Sequence, residues 1–264
     1  MGVRSPFLFD AEPAPVTVRS EFDAQLTVVV VRGPWTGETW QRTARTLRKC
    51  FAEHPAGLVL DLSGLEDDAA RSVPTWLHAY RTGAAMEPPV RVAVCAPAGP
   101  GLGGRLARLN RSLPICSSLG QAREALGTGR SLTDRVTATL AADPRSPGEA
   151  RRLVAGACAA WDLPGLVEPA RLLVSELVSN VVEHVGSESR LLVARRGRGL
   201  HVAVADGSRT MPRPTGRAPR RALPQLTEGG RGLNLVHDLA AAWGAMPIDG
   251  GKMVWAVLRP AGDR

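Results

Sequence analysis

An alternation constrains this chain more than any other feature. Three short β-branched and aliphatic runs, TVVVVRG (27–33), GLVLDLSG (57–64) and VRVAVCAP (90–97), are separated by stretches with helical spacing. The runs end in glycine, proline or polar turn residues, as strands do. Between the first two, Trp40, Ala44, Leu47 and Phe51 recur at intervals of three and four, which predicts a helix from about Gly37 to Phe51. VPTWLHAYRTG reads as a second helix with Pro74 in its first turn. Residues 102–110 and 119–126 read as two more. Strands alternating with helices argue for a small α/β domain.

The rest of the chain is organised differently. The boundary falls around 127–135, and RVTATLAADPRSP then supplies a first strand and a turn. Ser146-Pro147 opens a helix running to about Trp161, Leu163-Pro164-Gly165 breaks it, and a second helix spans Val167 to His184. SRLLVARRG and GLHVAVADG follow as strands, with RRGRG suited to a hairpin between them. Residues 208–228 are rich in Pro and Arg, lack periodicity and are long for a loop in a compact domain, a kind of segment that is usually functional. A Gly-rich turn and helix, GGRGLNLVHDLAAAWG, and a final strand, KMVWAVLRP, complete the order.

A chain of 264 residues with 44% hydrophobic content can bury a core and is long enough for two domains. Aromatics are only 4%, so Leu, Val and Ala must build the interior. No apolar run approaches the roughly 20 residues of a membrane span, and MGVRSPFLFDAEP is too short in apolar residues for a signal-peptide core. Cys50, Cys95, Cys116 and Cys158 are scattered, without a C-x-x-C pair or neighbouring histidines, which argues against zinc and a disulfide framework. A soluble cytoplasmic protein is expected. The net charge of +8 lies mostly in the second half, where Arg209, Arg213, Arg217, Arg220 and Arg221 crowd one segment. Such a cluster is either a solvated loop or an attractor of nucleic acid, polyphosphate or an acidic partner.

Three short motifs carry candidate chemistry. In LLVSELVSNVVEH, Glu176, Asn180 and Glu183 or His184 share one polar stripe of an otherwise apolar helix. They are either its wet face or are aimed at something bound. In VAVADGS, Asp206 ends a buried run, where it either forms an Asx-type turn or accepts a hydrogen bond from an exocyclic amine, with Gly207 permitting close approach. In EGGRGLNLV, Gly229, Gly230 and Gly232 precede an apolar-periodic helix, which is either tight packing or an anion site of free backbone N–H groups.

Taken together and in this order, SELVSNVVEH, VADGS, EGGRGLNLV and the AAWG…GGKMVWAVL tail resemble the histidine-kinase-like (GHKL) ATP-binding fold over roughly residues 130–262. The likeness is to the small anti-sigma-factor serine kinases of Gram-positive, especially actinobacterial, bacteria. The resemblance implies a C-terminal α/β sandwich binding ATP and Mg²⁺. In it Asn180 holds the metal, Glu176 accepts the proton of the attacking hydroxyl, and Asp206 and Gly207 bind the adenine side. Gly230, Gly232 and Leu233 start the phosphate-side helix, and the Arg/Pro segment forms the lid. Two positions depart from the family: Asp206-Gly207-Ser208 stands where D-x-G is usual, and Met253 follows Gly251-Lys252 where many relatives carry Thr. Both lie on the adenine side.

Residues 16–127 resemble a STAS domain, the α/β fold of anti-sigma-factor antagonists, on VVVVRG and GLVLDLSGLEDDAARSVPTWL. Ala70 occupies the place of the phosphorylatable Ser or Thr, and alanine has no hydroxyl. The resemblance implies a non-phosphorylatable module used for docking or sensing.

The expected function is that of an ATP-dependent serine/threonine kinase acting on a STAS-domain antagonist, sequestering a sigma factor, or both. The alternative is a non-catalytic ATP-binding module in the same kind of partner switching. Direct nucleic-acid binding is disfavoured because no helix-turn-helix, zinc or RNP-like pattern accompanies the charge. No membrane association is expected, and a homodimer is left open.

Overall fold

The first hairpin of the N-terminal part forms where the valine run meets its neighbour. In the computed structural model, which describes residues 7–8, 15–97, 99–127, 134–212 and 231–260, the chain divides into two units. Phe9–Thr133 with Met246–Asp249 make one, and Met1–Leu8, Asp134–Ala245 and Gly250–Arg264 the other. Among the described residues no helix is long and apolar enough to cross a membrane.

A two-residue strand β1 (Phe7–Leu8) is followed by β2 (Val16–Glu21), which pairs antiparallel with β3 (Leu26–Pro34). Next come α1 (Gly37–Glu53), β4 (Gly57–Glu66), α2 (Val73–Ala84), β5 (Arg91–Cys95), α3 (Leu102–Leu109), β6 (Ile115–Cys116) and α4 (Leu119–Gly127). Strands β3 to β6 are parallel neighbours in sequence order. Parallel pairs need crossovers, which the helices provide, and helices on the faces bury the strands on both sides. That is why the runs read as unbroken Val and Leu: Val28, Val29, Val31, Leu58, Val59 and Leu60 are all essentially inaccessible. Helix α4 seats Ala122 and Leu126 on Leu26, Val28, Val59 and Ala93.

Helix α1 forms where the spacing predicts, with a different face inward. Trp40 is half exposed, and Thr39, Thr43, Leu47 and Cys50 form the buried stripe. Threonine is hidden from an apolar count, yet Thr39 satisfies its hydroxyl on the Pro34 carbonyl at 2.9 Å. The Thr36 hydroxyl caps the helix by accepting from the Thr39 N–H at 3.2 Å. Before α2, Ala70 is buried at φ 52° and its N–H donates to the Asp67 carbonyl. Asp67 accepts the backbone N–H groups of Arg71 and Ser72 at 2.9 and 2.8 Å. Partial burial raises the Asp67 pKa, but the hydroxyl and N–H of Ser72 and the N–H and charge of Arg71 outweigh it and hold the carboxyl below its ordinary value. Ser72 itself is fully buried, and its hydroxyl accepts the Trp76 indole N–H at 2.7 Å.

The other unit holds β7 (Arg135–Leu140), α5 (Ser146–Ala160), a 3₁₀ turn (Pro164–Leu166), α6 (Val167–His184), β8 (Ser189–Arg196), β9 (Gly199–Asp206), α7 (Arg231–Leu239), the Ala242–Ala245 part of β10 (Ala242–Ile248) and β11 (Gly251–Leu258). Its strands run in the order β10-β11-β9-β8-β7, with β1 parallel to β10. Pairings β7/β8, β8/β9 and β9/β11 are antiparallel. One apolar layer joins Leu191 and Val193, Leu200, Val202 and Val204, and Val254, Ala256 and Leu258 of the strands to α5 and α6. Each leucine or valine withdrawn from water there contributes about 1.5–3 kcal/mol. RRGRG closes the β8/β9 hairpin, with Arg196 paired to Gly199 and Gly197 at φ 58°.

One sequence reading is corrected. The stretch AAWG, taken with the helix that begins at EGGRG, leaves it: α7 stops at Leu239 and AWGAMPI becomes β10. Trp243 and Ala245 join the apolar layer. Asp249-Gly250, with Gly250 at φ 82°, turns the chain into β11.

Candidate functional site

Helix α6 is oriented by its apolar residues. Ala170, Leu173, Val174, Leu177, Val178 and Val181 are all buried in the layer beneath it. With that face committed, Glu176 and Asn180 are carried to its flank, where both are half-buried rather than fully wet. Glu183 is exposed. Leu177, Asn180, Val181, His184 and Val185 instead form one wall of a cavity of about 330 Å³. That volume lies in the range of small-molecule sites, roughly 300–1,000 Å³. Asp206 and Val204 of β9, Ser208, Thr210, Met211 and Pro212, Leu233 of α7, and Lys252 and Val254 of β11 complete it.

The cavity therefore brings together three residues picked from sequence: Asn180, Asp206 and Leu233. Glu176, Gly207 and Gly232 are not part of its described lining. Glu176 and Gly232 nevertheless meet: a Cβ built on Gly232 would lie 2.5 Å from Glu176 Oε2 and 3.5 Å from Asn180 Nδ2. The absence of a side chain at Gly232 is thus what lets α7 start against the two polar groups of α6. A Cβ at Gly207 would reach only an ordinary contact, 3.7 Å from Ser187 Oγ, so close approach does not demand glycine there. Gly229, Gly230 and the Arg/Pro segment from Arg213 to Glu228, with its expected lid, lie outside the described residues.

Asp206 forms the Asx-type turn of VADGS and faces the cavity as well. Its Oδ1 accepts the Ser208 N–H at 2.8 Å, an Asx-type turn, and the residue also lines the cavity. The same oxygen takes a hydrogen bond from Lys252 Nζ at 2.9 Å. The two residues face each other in the β9/β11 register, and both are more than nine-tenths buried. Gly251 makes this approach possible, since any Cβ there would collide with the Asp206 carbonyl. Lys252 is the site residue that sequence reasoning missed. A signal was available: one lysine in the otherwise apolar strand KMVWAVL is out of place unless it is paired.

Chemically, the cavity offers a side-chain amide, a carboxylate with one uncommitted oxygen, an ammonium group and apolar walls. An Asn amide oxygen is a suitable hard ligand for Mg²⁺, which takes few protein ligands and retains water or phosphate oxygens. The Asp206 Oδ2 has no hydrogen-bond partner among the described residues and can receive an amine donor. The residues present fit a magnesium nucleotide, with Lys252 as an additional polar group beside Asp206.

No curated protein matches the chain. A crystal structure of an anti-sigma factor antagonist from Mycobacterium paratuberculosis is 22% identical, with a TM-score of 0.36, over 42% of this chain and 92% of its own. Residues 140–258, which contain α6, β9, α7 and β11 and hence the whole described cavity, match the family model of the histidine kinase-like ATPase domain.

Proposed function

We propose that residues 130–262 bind Mg-ATP and act as an anti-sigma-type serine/threonine kinase. The observation that carries this is the meeting of Asn180, Asp206 and Leu233 around one cavity, with Glu176 one helical turn before Asn180 and against Gly232. Bound Mg-ATP supplies a transferable γ-phosphoryl group. Asn180 ligates the metal. Asp206 Oδ2 accepts the adenine amine, and the start of α7, with Gly232 and Leu233, faces the phosphates. Glu176 takes the proton from a serine or threonine hydroxyl as its oxygen bonds to the γ-phosphorus and the bond from that phosphorus to the β,γ-bridging oxygen breaks, releasing ADP. Phosphoryl transfer asks mostly for such positioning and charge neutralisation.

The partner in this reading is a STAS-domain antagonist, a sigma factor, or both. The N-terminal unit, residues 16–127, is a STAS-like docking or sensing module in which Ala70 cannot be phosphorylated. The test is transfer of labelled phosphate from ATP to STAS-domain proteins by wild type and Glu176→Gln. Loss of transfer with retained ATP binding supports the base; equal transfer by the two proteins refutes it.

A second reading has its own observations: Glu176 is off the described cavity lining, and Lys252 already holds Asp206. Here the unit binds ATP without transferring phosphate, and nucleotide occupancy governs partner binding. ATP binding with no transfer to any STAS protein, in both wild type and Glu176→Gln, favours it.

A further inference from the structure

Lys252 is unusual for a buried lysine. An ammonium group has three donors. One goes to Asp206 Oδ1 at 2.9 Å, and the others have no partner among the described residues, although Lys252 is only 7% exposed and lines the cavity. Burying a charge with unspent donors is costly unless something supplies acceptors. The apolar walls Leu177, Val181, Val204 and Val254 supply none, and Asn180, Ser208 and Thr210 of the same lining are not bonded to Lys252. The ligand is therefore the natural source of the missing acceptor.

The position of Lys252 says which acceptor. Asp206 Oδ1 is doubly engaged by Ser208 N–H and Lys252, so Oδ2 is left for an incoming donor. In a carboxylate the two oxygens share one trigonal carbon. In adenine the exocyclic amine and ring nitrogen N1 share one trigonal carbon in the same way. When the amine donates to Oδ2, N1 therefore comes opposite the two groups on Oδ1, and of these the ammonium of Lys252 has donors to spare, whereas the single N–H of Ser208 is already spent.

Resting on the ATP-binding reading above, we propose that Lys252 is a base-recognition residue which donates a hydrogen bond to N1 of adenine while Asp206 accepts from the amine. Asp206 and Lys252 thus form a two-point reader in which the lysine both orients the carboxylate and contacts the base. A purine lacking the N1 acceptor leaves the ammonium unsatisfied.

The test is calorimetric binding of ATP, 1-deaza-ATP and 7-deaza-ATP in Mg²⁺ to the full chain, wild type and Lys252→Met. The expected result is at least a tenfold weaker affinity of wild type for 1-deaza-ATP, with 7-deaza-ATP close to ATP, and no discrimination by Lys252→Met. If Lys252→Met does not fold, Lys252→Gln, which keeps a donor for Asp206, takes its place and is expected to reduce the discrimination. Equal binding of ATP and 1-deaza-ATP by wild type overturns the inference. So does discrimination that survives in the variant, or tighter ATP binding by Lys252→Met, which would make the lysine a plug. Failure of wild type to bind any of the three removes the ATP reading itself, and the inference with it.

Discussion

Replacing Lys252 with methionine tests the buried ion pair directly. The pair has Nζ 2.9 Å from Oδ1, and its side chains are 9% and 2% exposed. At an effective dielectric of about 20 the gross attraction at that distance is about 6 kcal/mol, much of it offset by desolvation. Removing the lysine alone leaves Asp206 buried with only the Ser208 N–H on Oδ1. Losing one partner of such a pair costs about 3–5 kcal/mol. Asp206→Asn alone strands the ammonium at a similar cost. The double variant Lys252→Met, Asp206→Asn removes both charges, keeps an acceptor for Ser208, and should return to within about 1 kcal/mol of wild type. Hydrogen exchange of the β9 and β11 amides is the assay, because it reads this unit alone and does not require the chain to unfold in one step. The expected result is protection reduced by about 10²- to 10⁴-fold in each single variant and within about tenfold of wild type in the double. Additive losses, or single variants that exchange like wild type, would refute the coupling.

Gly232→Ala should separate stability from function. The new Cβ meets the flexible end of Glu176, so unfolding free energy should change by no more than about 1 kcal/mol, while phosphate transfer falls on the order of 10²-fold as the carboxylate is displaced. Denaturant titration beside the transfer assay checks both. Asp67, whose pKa is lowered, contributes stability that is fully present above its unfolded pKa of about 3.9 and is lost as pH falls through the lower folded value. In Asp67→Asn that acid-dependent loss should disappear from exchange protection at the start of α2. Cys50, Cys95 and Cys158 are buried and burial raises their thiol pKa values, while Cys116 is partly accessible. A thiol reagent should therefore modify Cys116 first in the native protein and all four cysteines in denaturant, as peptide mass spectrometry can show.

What could be read from sequence follows from which interactions are local. The valine runs of β3 to β5, the helix Val167–His184 and the hairpin at RRGRG carry their own periodicity and turn residues, and the structure places them where the sequence does. Strand β10 was hidden because Ala and Leu before it continue a helical pattern, while its burial comes from pairing with β11. The buried face of α1 departs from the apolar spacing because Thr39, whose hydroxyl bonds to the Pro34 carbonyl, and Thr43 are as buried as core residues. Of the residues that motif order singled out, Asn180, Asp206 and Leu233 line the cavity. Lys252 was missed because its meaning depends on a cross-strand register with Asp206, a contact 46 residues away in sequence.

Calorimetric titration of ATP into the full chain, with and without Mg²⁺, tests the central claim most directly. The account predicts saturable one-to-one binding that requires Mg²⁺ and is lost in Asn180→Ala, while exchange protection of α6 is retained. Absence of Mg²⁺-dependent binding in the wild type, or undiminished binding by Asn180→Ala, would contradict it.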